Sequence, residues 1–246
     1  MDCRYIKHYS RSLDREMEYK TYGDTGVPVL VFPSQDGRFF DYENFGMIDT
    51  VARHIEDGKI RLICVDGIDW ETWSNSSGDP RKRIERHEQW YHYITDELIP
   101  EVRRGEETFI ATGCSMGGFH AATIFFRRPD FFNTLLSLSG VYSARYFMGN
   151  YFDGTVYDNS VTDFLSLMPD DHPYWNEYRK RRIICCVGQG KWEDDLLEST
   201  RCLDTILAQK NVPHWFDYWG FDCDHDWPWW RKQLDYFMNN IVATSK

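Results

Sequence analysis

The chain has 246 residues, of which 42% are hydrophobic and 27% are charged, and its formal net charge is −11. This length and balance fit one large globular domain with a sizeable core and exclude a disordered chain. The acidic charge disfavours nucleic acid and anionic membrane surfaces as partners, because both are negatively charged.

Short apolar runs alternate with amphipathic segments along the chain. In chain order we predict a strand at 16–23 and another at 27–33, a helix at 42–56, a strand at 60–66, a helix at 81–102, a strand at 108–113, a helix at 116–127, strands at 134–140 and 182–188, a helix at 196–209, a strand at 213–220 and a helix at 227–241. The first strand alternates and is interpreted as an antiparallel edge strand. The runs at 27–33, 60–66 and 182–188 are largely apolar, which is typical of buried parallel strands. The alternation predicts an α/β fold with a mostly parallel central sheet and helices on both faces.

Residues 141–180 interrupt this alternation. Their periodicity is weak, and aromatic side chains are frequent among them. We therefore expect a single α/β domain over residues 1–246, in which 141–180 form a cap-like insertion over the edge of the sheet.

The strongest functional signal is Gly113-Cys114-Ser115-Met116-Gly117, a G-x-S-x-G motif. A predicted strand directly precedes the motif and a predicted helix follows it, as a sharp strand–turn–helix bend requires. Such a bend exposes the serine hydroxyl at a helix N-terminus, where negative charge is stabilised. Ser115 is the candidate nucleophile, and the alternative is an ordinary N-cap serine. Cys114 is interpreted as a small packed side chain.

A serine hydroxyl needs a base that removes its proton. In proteins with this motif the order along the chain is serine, acid and then a histidine after the last strand. Only His214 and His225 fall late enough. His214 begins the last predicted strand, which is the wrong end of a parallel sheet for an active site. His225 follows that strand and is the candidate base; the alternative is a loop histidine held by Asp224 and Asp226.

The acid is expected in the loop after the strand at 182–188, which reads GQGKWEDD. A carboxylate there would orient the histidine and stabilise its imidazolium form. Several carboxylates compete, because acidic residues also favour the start of the helix that follows. We favour Glu193, with Asp194 as the second candidate, and Asp195 stays open.

An oxyanion formed during attack by Ser115 needs two backbone N–H donors. Met116, which follows the serine, is expected to supply one. The loop after the strand at 27–33 is expected to supply the other. Gly37 is the candidate there, because glycine lets the backbone approach a substrate, and Gln35 is its competitor.

Together these segments resemble the Putative esterase family of α/β-hydrolases, which includes feruloyl and acetylxylan esterases, S-formylglutathione hydrolases and mycolyltransferases. The matching segments run along most of the chain: DGRFFDYENFG, GCSMGG with RRPDFF and SLSG, CVGQG, and HDWPWWRKQL. The resemblance implies the α/β-hydrolase fold and supports His225 as the base. In some relatives the acid lies further into the next helix, which would point to Glu198.

The segment DWETWSN is similar to a family loop that carries an aromatic residue beside the site. This likeness implies that Trp73 lines the substrate pocket. Trp70, Trp192 and Trp227 are further candidates for the pocket wall.

We therefore expect a serine hydrolase that cleaves a small-molecule carboxylic ester through an acyl-enzyme. An acyltransferase or a thioesterase would use the same triad, and a non-catalytic member would keep the fold as a binding module. We expect no nucleic-acid or membrane partner, and the sequence leaves open whether the chain forms a homo-oligomer.

The seven cysteines and the N-terminal segment indicate the compartment. Several cysteines lie in apolar runs, which favours buried, reduced thiols over a disulfide framework. The N-terminal segment lacks the apolar stretch of a signal peptide, so a cytoplasmic location is expected. No cysteine pair has metal-ligand spacing, and we expect neither a metal nor another cofactor.

Overall fold

The central element of the fold is one sheet of eight strands. The computed structural model describes residues 1–244. The strands are β1 (Cys3–Ser10), β2 (Arg15–Tyr22), β3 (Val27–Phe32), β4 (Ile60–Val65), β5 (Phe109–Cys114), β6 (Phe132–Leu138), β7 (Arg182–Val187) and β8 (Trp215–Tyr218). Their order across the sheet is β1-β2-β4-β3-β5-β6-β7-β8. The pairings β1–β2 and β2–β4 are antiparallel, and the other five are parallel.

The mostly parallel sheet confirms the predicted α/β architecture, with one correction at its edge. The predicted strand at 16–23 is β2, and it does pair in the antiparallel sense. It is not the edge strand, because β1 lies outside it. All but one of the β1 residues are exposed or only half-buried. This strand therefore lacks the buried apolar run by which the other strands are recognised.

Eleven α-helices surround the sheet in the part of the chain that the structure describes. They are α1 (Asp41–Asn44), α2 (Met47–Glu56), α3 (Pro80–His92), α4 (Ile99–Val102), α5 (Met116–Arg127), α6 (Arg145–Met148), α7 (Gly154–Asp158), α8 (Val161–Leu167), α9 (Tyr174–Tyr178), α10 (Asp194–Gln209) and α11 (Trp227–Thr244). The predicted helix at 42–56 is interrupted at Gly46, whose φ is +73°. The predicted helix at 81–102 is continuous, because a π-helical segment, Tyr93–Leu98, joins α3 to α4.

Helices cover both faces of the sheet and form two separate cores. On one face, Trp90 of α3, Phe125 of α5 and Leu203 of α10 pack together with strand residues. On the other face, Val51 of α2 and Phe237 of α11 do the same. Since both faces are covered, the central strands are mostly apolar, as their sequences predicted.

Residues 141–180 lie between β6 and β7 and contain the four short helices α6 to α9. Helix α8 contacts α5, α7 and α10, and Val156, Val161 and Trp175 are buried. The segment thus adds a layer of its own beside α5 and α10. Its role as a cap stays a prediction.

Within residues 1–244, the helices include none that combines the length and the apolar character needed to cross a membrane.

Candidate active site

Ser115 lies at the bend between β5 and α5, at the carboxyl end of the parallel strands. Its backbone has φ +58° and ψ −123°, a region that non-glycine residues rarely adopt. Its N–H donates to Leu138 O of the neighbouring strand at 2.9 Å, and its C=O accepts from the N–H groups of Gly118 and Phe119. These three hydrogen bonds hold the strained conformation.

Two glycines of the motif permit this bend. A Cβ atom on Gly117 would lie 2.7 Å from Pro33 O and would also collide with Phe32 O. A Cβ atom on Gly113 would overlap the backbone of Gly117. The start of α5 can therefore approach β3 closely only because both residues lack side chains.

The imidazole of His225 connects Ser115 with Glu193. His225 Nε2 lies 2.9 Å from Ser115 Oγ, and His225 Nδ1 lies 3.3 Å from Glu193 Oε2. The His225 loop is fixed to the acid loop by a hydrogen bond from His225 N–H to Lys191 O at 3.0 Å. The Trp230 ring packs edge-on against the imidazole, with the ring centroids 4.8 Å apart. The structure thus brings together the serine, histidine and carboxylate that the sequence singled out.

Glu193 differs from the competing carboxylates in its burial. Glu193 precedes the first turn of α10 and is 0% exposed. Asp194, Asp195 and Glu198 are all more accessible to solvent, and the hydrogen bonds of the described residues include none from them to His225. Asp195 and Glu198 instead line a neighbouring cleft. His214, the discarded histidine, pairs away from the site with Asp204.

Met116 and Gln35 lie beside the nucleophile, whereas Gly37 does not. Met116 is the first residue of α5, so its N–H has no partner within the helix. Ser34 Oγ–H donates to Cys114 O at 3.2 Å, which fixes the loop after β3 against the bend. Gly37 N–H donates to Ser34 O at 2.9 Å and closes a tight turn. That hydrogen bond occupies the Gly37 N–H, whereas Gln35 lines the cavity over Ser115; the role of either residue as an oxyanion donor stays a prediction.

A cavity of about 180 Å³ opens over the serine. Its wall combines polar and apolar side chains and consists of Gln35, Ser115, Met116, Val141, Tyr146, Phe147, Trp192, Leu196 and His225. Trp192, one of the predicted wall residues, is 81% exposed and has φ +62°. Tyr146 and Phe147 come from α6, so the segment 141–180 contributes to the cavity. The sequence predicted a cap-like insertion at 141–180 but did not indicate which of its side chains reach the cavity.

The other predicted tryptophans lie outside this cavity. Trp73 is 2% exposed, and its indole N–H donates to His87 Nδ1 at 3.0 Å. It supports the cavity from behind by packing against Phe147. Trp70 lines a different cleft, and Trp227 lies outside the cavity, where it stacks on an exposed phenylalanine. The likeness of DWETWSN to a family loop did not determine which way its tryptophan faces, and α3 and α5 enclose it.

Cys114 is adjacent to the nucleophile but is fully buried. Burial raises the pKa of its thiol above the usual range. The residue is therefore a packed side chain, as the sequence suggested, and not a second nucleophile. In the described part of the chain, His, Cys, Asp and Glu side chains form no group of three that could hold a metal ion.

One residue that the sequence pattern did not single out also touches the candidate triad. Ser139 follows β6 and its hydroxyl donates to Glu193 Oε1 at 2.6 Å. It lies in the segment SLSG, which stood out only through the family resemblance. A polar residue at the end of a buried parallel strand was the only signal that could have found it.

Solved structures with similar folds include esterases and hydrolases of low sequence identity. A ferulic acid esterase superposes with a TM-score of 0.75 at 15% identity, over 98% of this chain and 97% of that chain. An S-formylglutathione hydrolase from Agrobacterium tumefaciens gives 0.74 at 15% identity, over 98% and 94%. A fluorophosphonate-binding serine hydrolase from Staphylococcus aureus gives 0.69 at 15% identity, over 98% of both chains. These likenesses confirm the α/β-hydrolase fold.

Among curated proteins, none matches this sequence. The sequence model of one family, described as "Putative esterase", matches residues 10–239. The match includes the serine bend, both loops that meet it and most of α11. The chain therefore belongs to the Putative esterase family of α/β-hydrolases.

Proposed function

We propose that the protein is a serine esterase that cleaves a carboxylic ester through an acyl-enzyme on Ser115. The observation that carries this proposal is the hydrogen-bonded series Ser115 Oγ, His225 Nε2, His225 Nδ1 and Glu193 Oε2. Membership in an esterase family supports ester hydrolysis as the reaction. A cavity directly over the hydroxyl, walled in part by apolar side chains, offers the space for an acyl group.

In this proposal Glu193 determines which nitrogen of His225 carries the proton. A buried carboxylate accepts from Nδ1–H, so the proton stays on Nδ1 and Nε2 is free to accept. Nε2 then removes the Ser115 hydroxyl proton as Oγ attacks the ester carbonyl carbon. The imidazolium that forms is stabilised by the carboxylate.

The tetrahedral intermediate carries its negative charge on the former carbonyl oxygen. The Met116 and Gln35 backbone N–H groups are the proposed donors to this oxyanion, and the N-terminus of α5 adds a favourable dipole. Collapse of the intermediate releases the alcohol, which takes the proton from His225. Water then attacks the acyl-enzyme by the same steps and releases the acid.

The volume of the cavity indicates how large an acyl group it can hold. Its 180 Å³ is below the roughly 300–1,000 Å³ of pockets that hold drug-sized ligands. Val141, Phe147 and Leu196 enclose it with apolar side chains. We therefore propose a preference for esters with short acyl chains.

The test is turnover of a series of nitrophenyl esters from acetate to decanoate, with Ser115→Ala as the blank. We expect kcat/KM to be highest for the shortest chains and to be lost in Ser115→Ala. A fluorophosphonate probe should label the wild type and leave Ser115→Ala unlabelled. Absence of both turnover and labelling in folded wild-type protein would refute the esterase proposal and favour a binding module.

A further inference from the structure

We propose that Ser139 and Trp230 are positioning residues that act on the candidate triad through Glu193. This inference rests on the proposed function, because it concerns the orientation of the proposed triad acid. Neither side chain lines the cavity over Ser115, so neither is expected to touch the substrate.

A second series of hydrogen bonds continues from the carboxylate into the protein interior. The Trp230 indole N–H donates to Ser139 Oγ at 3.1 Å, and the Ser139 hydroxyl donates to Glu193 Oε1 at 2.6 Å. All three side chains are buried, with exposures of 4%, 0% and 0% respectively. The indole ring also packs directly against His225, so Trp230 touches the base and is linked to the acid through Ser139.

The directions of these hydrogen bonds follow from the groups themselves. An indole N–H can only donate, so the Ser139 oxygen must accept from Trp230. The single hydroxyl proton of Ser139 is then free to point at Glu193. Oε1 of Glu193 is occupied in this way, and Oε2 is left facing His225 Nδ1. Trp230 thus fixes the direction of the Ser139 hydroxyl, and the hydroxyl fixes the orientation of the Glu193 carboxylate.

Ser139 has a backbone conformation that serine rarely adopts. Its φ is +48°, a conformation that glycine adopts without strain and serine does not. Its N–H donates to Cys186 O of β7 at 2.7 Å, which locks the residue between two strand ends. Relative to glycine, serine adds only the hydroxymethyl group, and that group contacts Glu193.

The same φ provides a clean experiment, because Ser139→Gly removes the hydroxyl and relieves the backbone. We expect kcat for the best ester to fall about 10- to 100-fold, the loss typical of one hydrogen bond to a charged group. KM should stay within about twofold, since Ser139 does not touch the substrate. Thermal unfolding should show that the variant remains folded.

The matched control is Ser137→Ala. Ser137 is equally buried and lies on β6, two residues before Ser139, and its hydroxyl donates to Gly118 O away from the carboxylate. We expect this variant to lose stability while it keeps the wild-type kcat and KM. A similar loss of kcat in both variants would mean that any buried hydroxyl near the carboxyl end of β6 has this effect, and it would overturn the inference.

Trp230→Phe tests the other half of the proposal. It removes the N–H donor and keeps a ring against His225, so we expect a smaller loss of kcat than in Ser139→Gly. In the double variant the Trp230 change should have no further effect, because the tryptophan acts through the hydroxyl. Full additivity of the two losses would contradict this order of action.

A measurement without turnover separates this inference from the proposed function. In proton NMR, the Nδ1–H of His225 should give a low-field resonance in the wild type and in Ser137→Ala. It should broaden or disappear in Ser139→Gly, where the carboxylate is no longer fixed. An unchanged resonance together with an unchanged kcat in Ser139→Gly would overturn the positioning role. Absence of esterase activity in the wild type, with the resonance still dependent on Ser139, would refute only the proposed function.

Discussion

Replacing Glu193 with glutamine exchanges one carboxylate oxygen for an amide nitrogen in a fully buried place. The amide can take two orientations between Ser139 and His225. If its oxygen keeps the Ser139 hydroxyl bond, its NH₂ faces His225 Nδ1. If its oxygen faces His225, its NH₂ meets a Ser139 oxygen that already accepts from Trp230.

The second orientation is the less favourable one. It leaves the Ser139 hydroxyl proton without an acceptor among the described residues, and a buried unsatisfied donor costs about 1–3 kcal/mol. The first orientation therefore dominates. Its NH₂ donates to Nδ1, which moves the histidine proton to Nε2, and Nε2 can then no longer accept from Ser115.

We expect Glu193→Gln to lower kcat by about 10⁴-fold, the loss that a carboxylate-to-amide change causes in a serine protease triad. This corresponds to about 5 kcal/mol of transition-state stabilisation. The assay is ester turnover under saturating substrate, with thermal unfolding to show that the fold is kept. Asp194→Asn, Asp195→Asn and Glu198→Gln serve as controls and should stay within about twofold of the wild type.

A Glu193→Gln enzyme that retained more than a tenth of the wild-type kcat would refute this reasoning. The same conclusion would follow if one of the three control carboxylates produced the large loss. In that case the acid would reach His225 only in a conformation different from the one described.

Three further predictions concern stability and reactivity. Gly117→Ala would force a Cβ atom against the backbone of Phe32. We therefore expect a loss of more than about 3 kcal/mol in unfolding free energy. A midpoint of thermal unfolding within 2 °C of the wild type (roughly 1 kcal/mol or less) would contradict this. Iodoacetamide at pH 8 should alkylate the exposed Cys202 and spare Cys114, whose buried thiol has a raised pKa, and peptide mass spectrometry of the native protein would reveal the opposite result. Burial holds the pKa of His87 well below its usual value, so below about pH 6.5 the unfolded chain binds a proton that the folded protein does not, and stability falls by about 1.4 kcal/mol per pH unit from this residue. The unfolding free energies of the wild type and of His87→Gln, measured by urea unfolding at pH 6.5 and 5.0, give the change of stability per pH unit. This change should be smaller in His87→Gln by the amount stated, and an equal change in both proteins would count against the prediction.

Local pattern was enough to find most of the secondary structure. The apolar runs at 27–33, 60–66 and 182–188 became β3, β4 and β7 with boundaries shifted by one residue. Burial on both faces produces a continuous apolar run, which is a signal that a single segment carries by itself. The edge strand β1 was missed for the same reason, since its exposed residues carry no such run.

The serine and the histidine were also available from the sequence. A strained bend needs glycines at fixed positions, so Gly113 and Gly117, between a predicted strand and a predicted helix, point to Ser115 as the candidate nucleophile. His225 followed from chain order and from its place after the last strand. Both residues could be found without knowledge of any contact between them, even though they lie 110 positions apart in the chain.

What the tertiary structure decided depends on contacts between distant segments. Glu193 and Asp194 are neighbours in the sequence, and only the packing of the first turn of α10 buries one and exposes the other. The difference between the two candidate donors Gly37 and Gln35 depends on one hydrogen bond, which closes a turn and occupies the Gly37 N–H. Trp73 turned inward because α3 and α5 enclose it, and Ser139 meets Glu193 across 54 residues of chain. The sequence by itself determined most strands of the sheet, the bend and the candidate nucleophile, since these follow from backbone preference and periodic burial. The direction of each remaining side chain is determined by neighbours that only folding brings near.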